Sequence, residues 1–484
     1  MEHKYYDVLT IGMGPAGMAV SAMATEMGLR VCAVERNKIG GECMNVGCIP
    51  SKALLKIAKT RSTFDKLDMM ELSSMPKPGL KRPFERIQEH IDYINRNKTM
   101  AMFTKVDLLL EEGDASFIDK DTVKVGNRLI KARRIFICVG TRPSVPPIPG
   151  IENVDLFTNE NIFQLDEIPE SMTIIGGGAI GCEMAQAFHR LGCRVSIVQM
   201  DPYLLPFGDE ESGRLLEDVF TKEGIAVYNS REITRVGKED GGIALYTSIG
   251  EKIVSQKLMV AAGRKMDFSS LNLENAGIDY TRKGIKVNKY LETTESNIYA
   301  VGDCNGYYLL SHAAMHQGMI ALMNSLLPMG MKRDFRKFVV PWTVFTEPQV
   351  SHVGKLESQL KKEGKRYEVV ETRYEDYGAA IAEGVDIGFV KVLVSQTGKI
   401  YGASIVGEGS GEMISEWALA IQRRIRMYDI LFLQHSFPAM SFLNKRVSEN
   451  WMMNKMKSRV IKRLIKRLAR SDLPRIYKGI AAWF

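Results

Sequence analysis

Short apolar runs that stop at glycines, each followed by a stretch with helical spacing, recur along this chain. Residues 5–11, YYDVLTI, form the first run and end at Gly12. So short a run, closed by glycine, predicts a buried strand. GMGPAGMAVSAMATEMG then reads as a turn opening an Ala- and Met-rich helix, and RVCAVE as a second strand ending in Glu35. The pattern returns at 171–199, SMTIIGGGAIGCEMAQAFHRLGCRVSIVQ. Between the copies, RRIFICVGTRPSVPPIPG predicts a strand running into a Pro-rich crossover, with a domain boundary near 150. SNIYAVGDCNG predicts a strand that delivers Asp303. After about residue 336 the pattern becomes strand-rich with helices: FVKVLVS, KIYGASIVG, then EMISEWALAIQRRI.

Gly12, Gly14 and Gly17 carry the G-x-G-x-x-G spacing between the first strand and helix, and Gly176, Gly178 and Gly181 repeat it. The first glycine permits a tight turn, the second lets a pyrophosphate approach the backbone, and the third lets helix pack on strand. The helix N-terminus adds N–H donors and positive dipole for phosphate. Glu35 is placed for a ribose hydroxyl. Two such units imply two dinucleotides, and a flavin beside a nicotinamide is the economical pairing.

Composition adds little to this picture, but charge does. Hydrophobic residues make up 45% and charged residues 25%, a globular balance. Seven cysteines in 484 residues do not make a secreted disulfide scaffold. The N-terminus carries no signal-peptide pattern and no apolar run is long enough to span a bilayer, so a cytoplasmic protein is expected. The net charge of +8 is concentrated at one end: residues 451–484 hold ten Lys or Arg against Asp472 alone, leaving the remaining residues at −1. There Met453, Met456, Val460, Leu464 and Leu468 share a helical face, widened by Ile461 and Ile465, opposite Lys and Arg. IYKGIAAWF adds interfacial aromatics. A basic amphipathic helix of this kind is expected on an anionic membrane surface, peripheral on the cytoplasmic face, or on an acidic protein partner. No groove-reading motif accompanies it, so no nucleic acid is expected.

GGECMNVGCIPSK, residues 40–52, places Cys43 and Cys48 between a glycine pair and a helix start. A turn there brings two thiols within bridging range, and a helix N-terminus favours a thiolate at Cys48. The spacing alone leaves a redox pair and packed thiols open; a metal site lacks further ligands, and none is expected. The stretch resembles the redox motif G-G-x-C-x-N-x-G-C-x-P-S-K of the flavin-dependent pyridine nucleotide-disulfide oxidoreductases, which include dihydrolipoamide dehydrogenase and mercuric reductase. GMGPAG, GGGAIGCE, IYAVGDC and VFTEPQVSHVG extend the resemblance over roughly residues 5–445.

The resemblance implies an α/β fold with two Rossmann-like dinucleotide-binding domains, for FAD and for NAD(P), plus an α/β dimerisation domain and a homodimer. The corresponding division is 1–150 for the first FAD part, 151–265 for NAD(P), 266–335 for the second FAD part, 336–450 for the interface domain and 451–484 for the tail. It also implies roles. Cys43 would meet the substrate and Cys48 the flavin. Lys52 would lie at the flavin, paired with Glu183. Gly12, Gly14, Gly17, Glu35 and Asp303 would serve FAD, Gly176, Gly178, Gly181 and Gln199 NAD(H) or NADP(H), and Gly140 and Gly263 are further cofactor-binding positions. Electrons would pass from NAD(P)H through FAD to Cys43–Cys48 and on to a disulfide-type acceptor, or to quinone at a membrane.

Departures from the family pattern bear on the acceptor and the nicotinamide. The usual His-x-His-Pro-Thr-x-x-Glu near the end reads HSFPAMSF here, with Phe437 at the catalytic His and Phe442 at the Glu. Only His435 survives, as a candidate displaced base. Ordinary lipoamide or glutathione turnover is therefore not expected. Mercury reduction is not expected either, since no cysteine follows Cys304. Gln199 stands where NAD-preferring relatives carry an acid, and no Arg follows within the next few residues, which leans to NADH. Cys32, Cys138, Cys182, Cys193 and Cys304 are expected to be buried and inert, and His312 and His316 to be surface or packing residues.

Overall fold

The computed structural model describes residues 5–470, and the chain divides into two compact units, 1–338 and 339–484. The first unit contains both predicted nucleotide units. Its larger sheet runs in the order Asp107–Leu110, Val31–Glu35, Tyr5–Ile11, Arg128–Ile137, Thr122–Val125, Ala115–Phe117, and Ile298–Ala300 also pairs with Arg128–Ile137. The strands around Tyr5–Ile11 are parallel, with Val8 beside Val31 and Leu9 beside Ile135. Val31–Glu35 is buried along its whole length, as a strand covered on both faces must be. The second sheet is ordered Ala226–Tyr228, Arg194–Val198, Ser171–Ile175, Lys257–Val260, Leu156–Phe157, again parallel. Helices Pro15–Glu26 and Ala179–Arg190 follow the first strand of each unit. Parallel strands with helical crossovers align the carboxyl ends of the strands, where the glycine turns and terminal acids lie.

The second unit is an antiparallel sheet, Trp342–Val344, Val350–Gly354, Ile400–Val406, Phe389–Val394, Glu368–Arg373. Helices Ser410–Arg423 and Phe442–Met456 supply Trp417, Leu443, Val447 and Trp451 to its core. These are the strand and helix segments read from FVKVLVS, KIYGASIVG and EMISEWALAIQRRI.

The tail requires a correction. A boundary at 450/451 falls inside the helix Phe442–Met456, because Trp451 is buried in the core of this unit. The single stripe expected from Met453 to Leu468 is broken at Ser458, where the backbone leaves helical geometry before a second helix, Arg459–Ala469. That helix buries no residue, and Val460, Leu464, Ile465 and Leu468 are exposed. IYKGIAAWF lies outside the described residues. No helix among the described residues is long and apolar enough to cross a membrane.

Candidate active site

The two glycine turns share one geometry. Gly12 and Gly176 have φ of +93° and +112°, and a Cβ there would meet the carbonyl oxygens of Cys138 and Ala261 at 2.6 and 2.5 Å. At Gly17 and Gly181 a Cβ would lie 1.9 Å from the carbonyl oxygen of the first glycine of each turn, so helix and strand touch only because neither has a side chain. Gly14 and Gly178 face open space, as do Gly140 and Gly263. An open approach to the second glycine of each turn is what a pyrophosphate needs. Glu35 is buried and accepts from the backbone N–H groups of Met13 (2.8 Å) and Asn37 (2.9 Å), which aims its carboxylate at the turn.

The cysteine motif is folded onto the first turn. A Cβ on Gly41 would lie 2.9 Å from Cα of Gly14, so the motif's second glycine permits this contact. Gly41–Asn45 is a short helix, and Cys48 opens the longer helix Cys48–Ser62. Between them Gly47 packs on the Glu42 carbonyl, 2.8 Å from its would-be Cβ, and Asn45 Nδ2 donates to the carbonyls of Ile39 (3.0 Å) and Gly41 (2.8 Å). The doubled-back turn brings the Cys43 and Cys48 thiols into hydrogen-bond contact. That hydrogen bond is the main reason the Cys48 thiol is pushed down to about 6. Ser311, with Oγ 3.5 Å from Sγ, and the Lys52 ammonium pull the same way, against burial. Cys43 is pushed up, first by the same hydrogen bond and then by burial. Cys48 is thus the more acidic thiol of the pair and Cys43 the less acidic one.

Lys52 lies one turn along that helix. Its Nζ donates to both carboxylate oxygens of Glu183, at 2.7 and 2.9 Å, and Glu183 is buried in the helix Ala179–Arg190. Asp303 begins a short turn after Gly302, accepts from Thr141 Oγ1 at 3.4 Å, and is pushed up to about 6, mainly by burial, with the Arg264 guanidinium opposing. Gln199, also buried, donates from Nε2 to Asn229 Oδ1 at 2.6 Å. Cys43, Cys48, Lys52 and Glu183 thus form one cluster, and the glycines and acids surround the two turns. Two open glycine cradles, the first flanked by Glu35 and the half-buried Asp303, fit a dinucleotide at each turn and a polyol chain beside Asp303.

Sequence reasoning missed Glu42, Arg264 and Ser311. Arg264 donates to Glu42 Oε2 (2.5 Å) and Thr141 Oγ1 (2.8 Å), tying the residue before Cys43 to the segment that follows Gly263. Glu42 lies inside the motif GGECMNVGCIPSK, and Ser311 lies beside His312 and near His316. Of these, His312 is exposed and His316 packs its ring on Phe338 at 4.6 Å. The five other cysteines are all buried. No group of three or more metal-ligating side chains occurs among the described residues.

In the second unit, Phe437 is 74% exposed and meets Phe442 edge-on at 5.4 Å, while Phe442 stacks on Tyr377 at 6.1 Å. His435 Nε2 bonds Glu416 Oε1 at 3.0 Å, and Asn444 Nδ2 donates to the other oxygen of that carboxylate at 2.7 Å. The sequence offered no sign of Glu416, which reaches the His435 loop from the helix Ser410–Arg423.

Two nucleotide-binding turns, with a thiol pair folded onto the first, define a flavoprotein that exchanges electrons between a nicotinamide and a dithiol. Residues 6–318 match the family described as pyridine nucleotide-disulphide oxidoreductase, and residues 340–446 match its dimerisation domain. The chain belongs to the pyridine nucleotide-disulphide oxidoreductase family. It is 32% identical over 452 residues to a dihydrolipoyl dehydrogenase of Thermus scotoductus, covering 90% of this chain and 95% of that one. It is 31% identical over 431 residues to a mercuric reductase of Staphylococcus aureus, covering 88% and 78%. Among solved structures, the HOCl-induced flavoprotein disulfide reductase RclA from Escherichia coli superposes with a TM-score of 0.82 at 26% identity, over 93% of this chain and all of that one. The protein is an FAD-dependent NAD(P)H oxidoreductase.

Proposed function

We propose that this enzyme passes electrons from NAD(P)H to the Cys43–Cys48 pair and on to a disulfide whose leaving thiolate is a weak base. The observation that carries the reading is the Cys43–Cys48–Lys52–Glu183 cluster. Bound FAD would supply the hydride chemistry that links nicotinamide to dithiol. Gly14 and Glu35 would hold its pyrophosphate and ribose, Asp303 its polyol chain, and Lys52, fixed by Glu183, would sit beside the ring. Cys48, the more acidic thiol, would face the flavin, and Cys43 would attack the acceptor. Reduction of the acceptor disulfide breaks its S–S bond, re-forms Cys43–Cys48, and releases two thiols.

The leaving thiolate normally takes a proton from an imidazole, and Phe437 carries none. An acceptor whose leaving thiol has a low pKa needs no such acid, because it departs readily as the anion. A homodimer is supported by the dimerisation domain at 340–446. A steady-state acceptor panel tests the reading. An aromatic disulfide such as dithiobis(nitrobenzoate) should turn over, while lipoamide and glutathione disulfide should fall short by about 10²–10⁴-fold, the usual worth of a general acid. Fast lipoamide turnover would overturn it and return His435 to candidacy. Cu(II) belongs on the panel, since a structure of RclA from Escherichia coli is described as a Cu(II) complex.

A second reading is favoured by the helix Arg459–Ala469, which is basic and buries nothing. On this reading the cytoplasmic enzyme rests on an anionic membrane and reduces quinone there. Quinone turnover that survives Cys43→Ser would favour it.

A further inference from the structure

The far end of the second nucleotide turn contains a masked cation. Gln199 follows the strand Arg194–Val198, and Asn229 follows its parallel neighbour Ala226–Tyr228. Their side chains are bonded to each other, and a Cβ on Gly177 would lie 2.1 Å from Gln199 Oε1, so this amide pair packs against the glycine turn. Arg231 joins the pair. Its backbone N–H donates to the Gln199 carbonyl at 2.8 Å, and its Nη1 donates to the Asn229 carbonyl at 3.0 Å. The Ser230 N–H donates to the Asp201 carbonyl at 2.9 Å, so residues 199–201 and 229–231 lie side by side.

At this place in a dinucleotide-binding unit the adenosine ribose is read: an acid takes its 2′-hydroxyl, or an Arg accommodates a 2′-phosphate. Here the strand ends in neutral Gln199, and the nearby guanidinium is already engaged. Arg231 Nε donates to Glu251 Oε2 at 2.7 Å and Nη2 to Glu251 Oε1 at 3.4 Å. Glu251 is fixed in turn: its backbone N–H donates to Thr247 Oγ1 at 3.1 Å, and Thr247 Oγ1 lies 3.5 Å from its carboxylate. A 2′-phosphate carries roughly two negative charges. To reach Arg231 it would have to displace or sit beside the Glu251 carboxylate, whereas a free 2′-hydroxyl can bond to the Gln199–Asn229 amides at no charge cost.

We propose that the Arg231–Glu251 pair is a specificity latch that makes the nicotinamide site select NADH over NADPH, with Glu251 as the deciding residue. The inference rests on the reading of Gly176–Gly181 as the nicotinamide-nucleotide turn. Arg231 and Glu251 touch neither redox thiol; they act only at the adenosine end.

Calorimetric titration of the purified holoprotein with 5′-AMP and with 2′,5′-ADP tests it without turnover. Wild type should bind 5′-AMP at least about tenfold more tightly than 2′,5′-ADP. Glu251→Gln keeps the size of the side chain but unmasks Arg231. It should improve 2′,5′-ADP affinity by about ten- to a hundredfold, the worth of one charge-assisted hydrogen bond, and leave 5′-AMP affinity nearly unchanged. The double variant Glu251→Gln with Arg231→Gln should lose that gain. Wild type binding the two nucleotides equally would overturn the latch on its own, even if the variants fail to fold. So would an unchanged ratio in Glu251→Gln. Binding of neither nucleotide would instead remove the underlying assignment of the turn.

Discussion

Replacing Cys43 by Ala removes the largest influence that holds Cys48 at about 6, the hydrogen bond from the Cys43 thiol. A hydrogen bond to a charged group contributes about 1.5–3 kcal/mol. At about 1.36 kcal/mol per unit, its loss should raise the Cys48 pKa by roughly 1–2 units, to about 7–8. At pH 6.5 the thiolate population would fall from about three-quarters to a quarter or less. Ser311 and Lys52 remain in the variant, which is why the thiol should not return to its ordinary value. The assay is the long-wavelength charge-transfer absorbance between the Cys48 thiolate and oxidised flavin, titrated from pH 5 to 10. Cys43→Ser, which keeps a donor of similar reach, serves as the comparison. Its midpoint should stay near that of the parent pair, while the Ala midpoint moves up. Equal midpoints for the two variants would refute the reasoning, and so would a band that survives Cys48→Ser.

Two further outcomes are expected. His352 is buried, accepts from Ser404 Oγ through Nδ1 at 2.9 Å and donates from Nε2 to the Gly354 carbonyl at 3.2 Å; burial pushes it down to about 4. The unfolded chain takes up this proton below about 6.5 and the folded chain only below 4, so stability falls as pH drops through that window. The loss at pH 5 should be about 2 kcal/mol, and denaturant midpoints of wild type and His352→Gln at pH 7.5 and 5 should differ in pH dependence by that amount. Full-length protein should sediment with anionic but not neutral vesicles, more weakly at high salt, while a chain ending at Ser458 should stay in the supernatant with its flavin; identical behaviour of the two would reassign the helix Arg459–Ala469 to an acidic protein partner.

Much of the fold was legible because parallel strands and glycine turns write themselves locally. YYDVLTI and RVCAVE are apolar runs of strand length, and the first and third glycines of each fingerprint answer to a contact within a few residues or with the adjacent strand. The tail was harder to read. Helical spacing ran through Met453, Met456 and Val460 without interruption, whereas the burial of Trp451 and the break at Ser458 divide the segment into a packed helix and one that buries no residue. Ser311, Arg264 and Glu416 could not be found from spacing, since each meets its partner across a distance in sequence that no periodicity reports: Cys48 with Ser311, Glu42 with Arg264, His435 with Glu416. Arg231 escaped for the same reason. It stands after the neighbouring strand Ala226–Tyr228 and not in the loop that follows Gln199.

The burial of the five remaining cysteines governs how the protein meets an oxidant. Burial holds Cys138 and Cys182 far above the ordinary thiol range and pushes Cys193 and Cys304 up to about 12. Thiolates, not thiols, react with peroxides, hypochlorous acid and electrophiles, and only at accessible sulfur. Of the seven cysteines, only Cys43 and Cys48 are not buried, so the chain presents a single thiol pair to solvent. An oxidant that reacts with cysteine should therefore meet Cys43 and Cys48 first, the pair placed to close a reversible bond, while burial slows attack on the other five thiols.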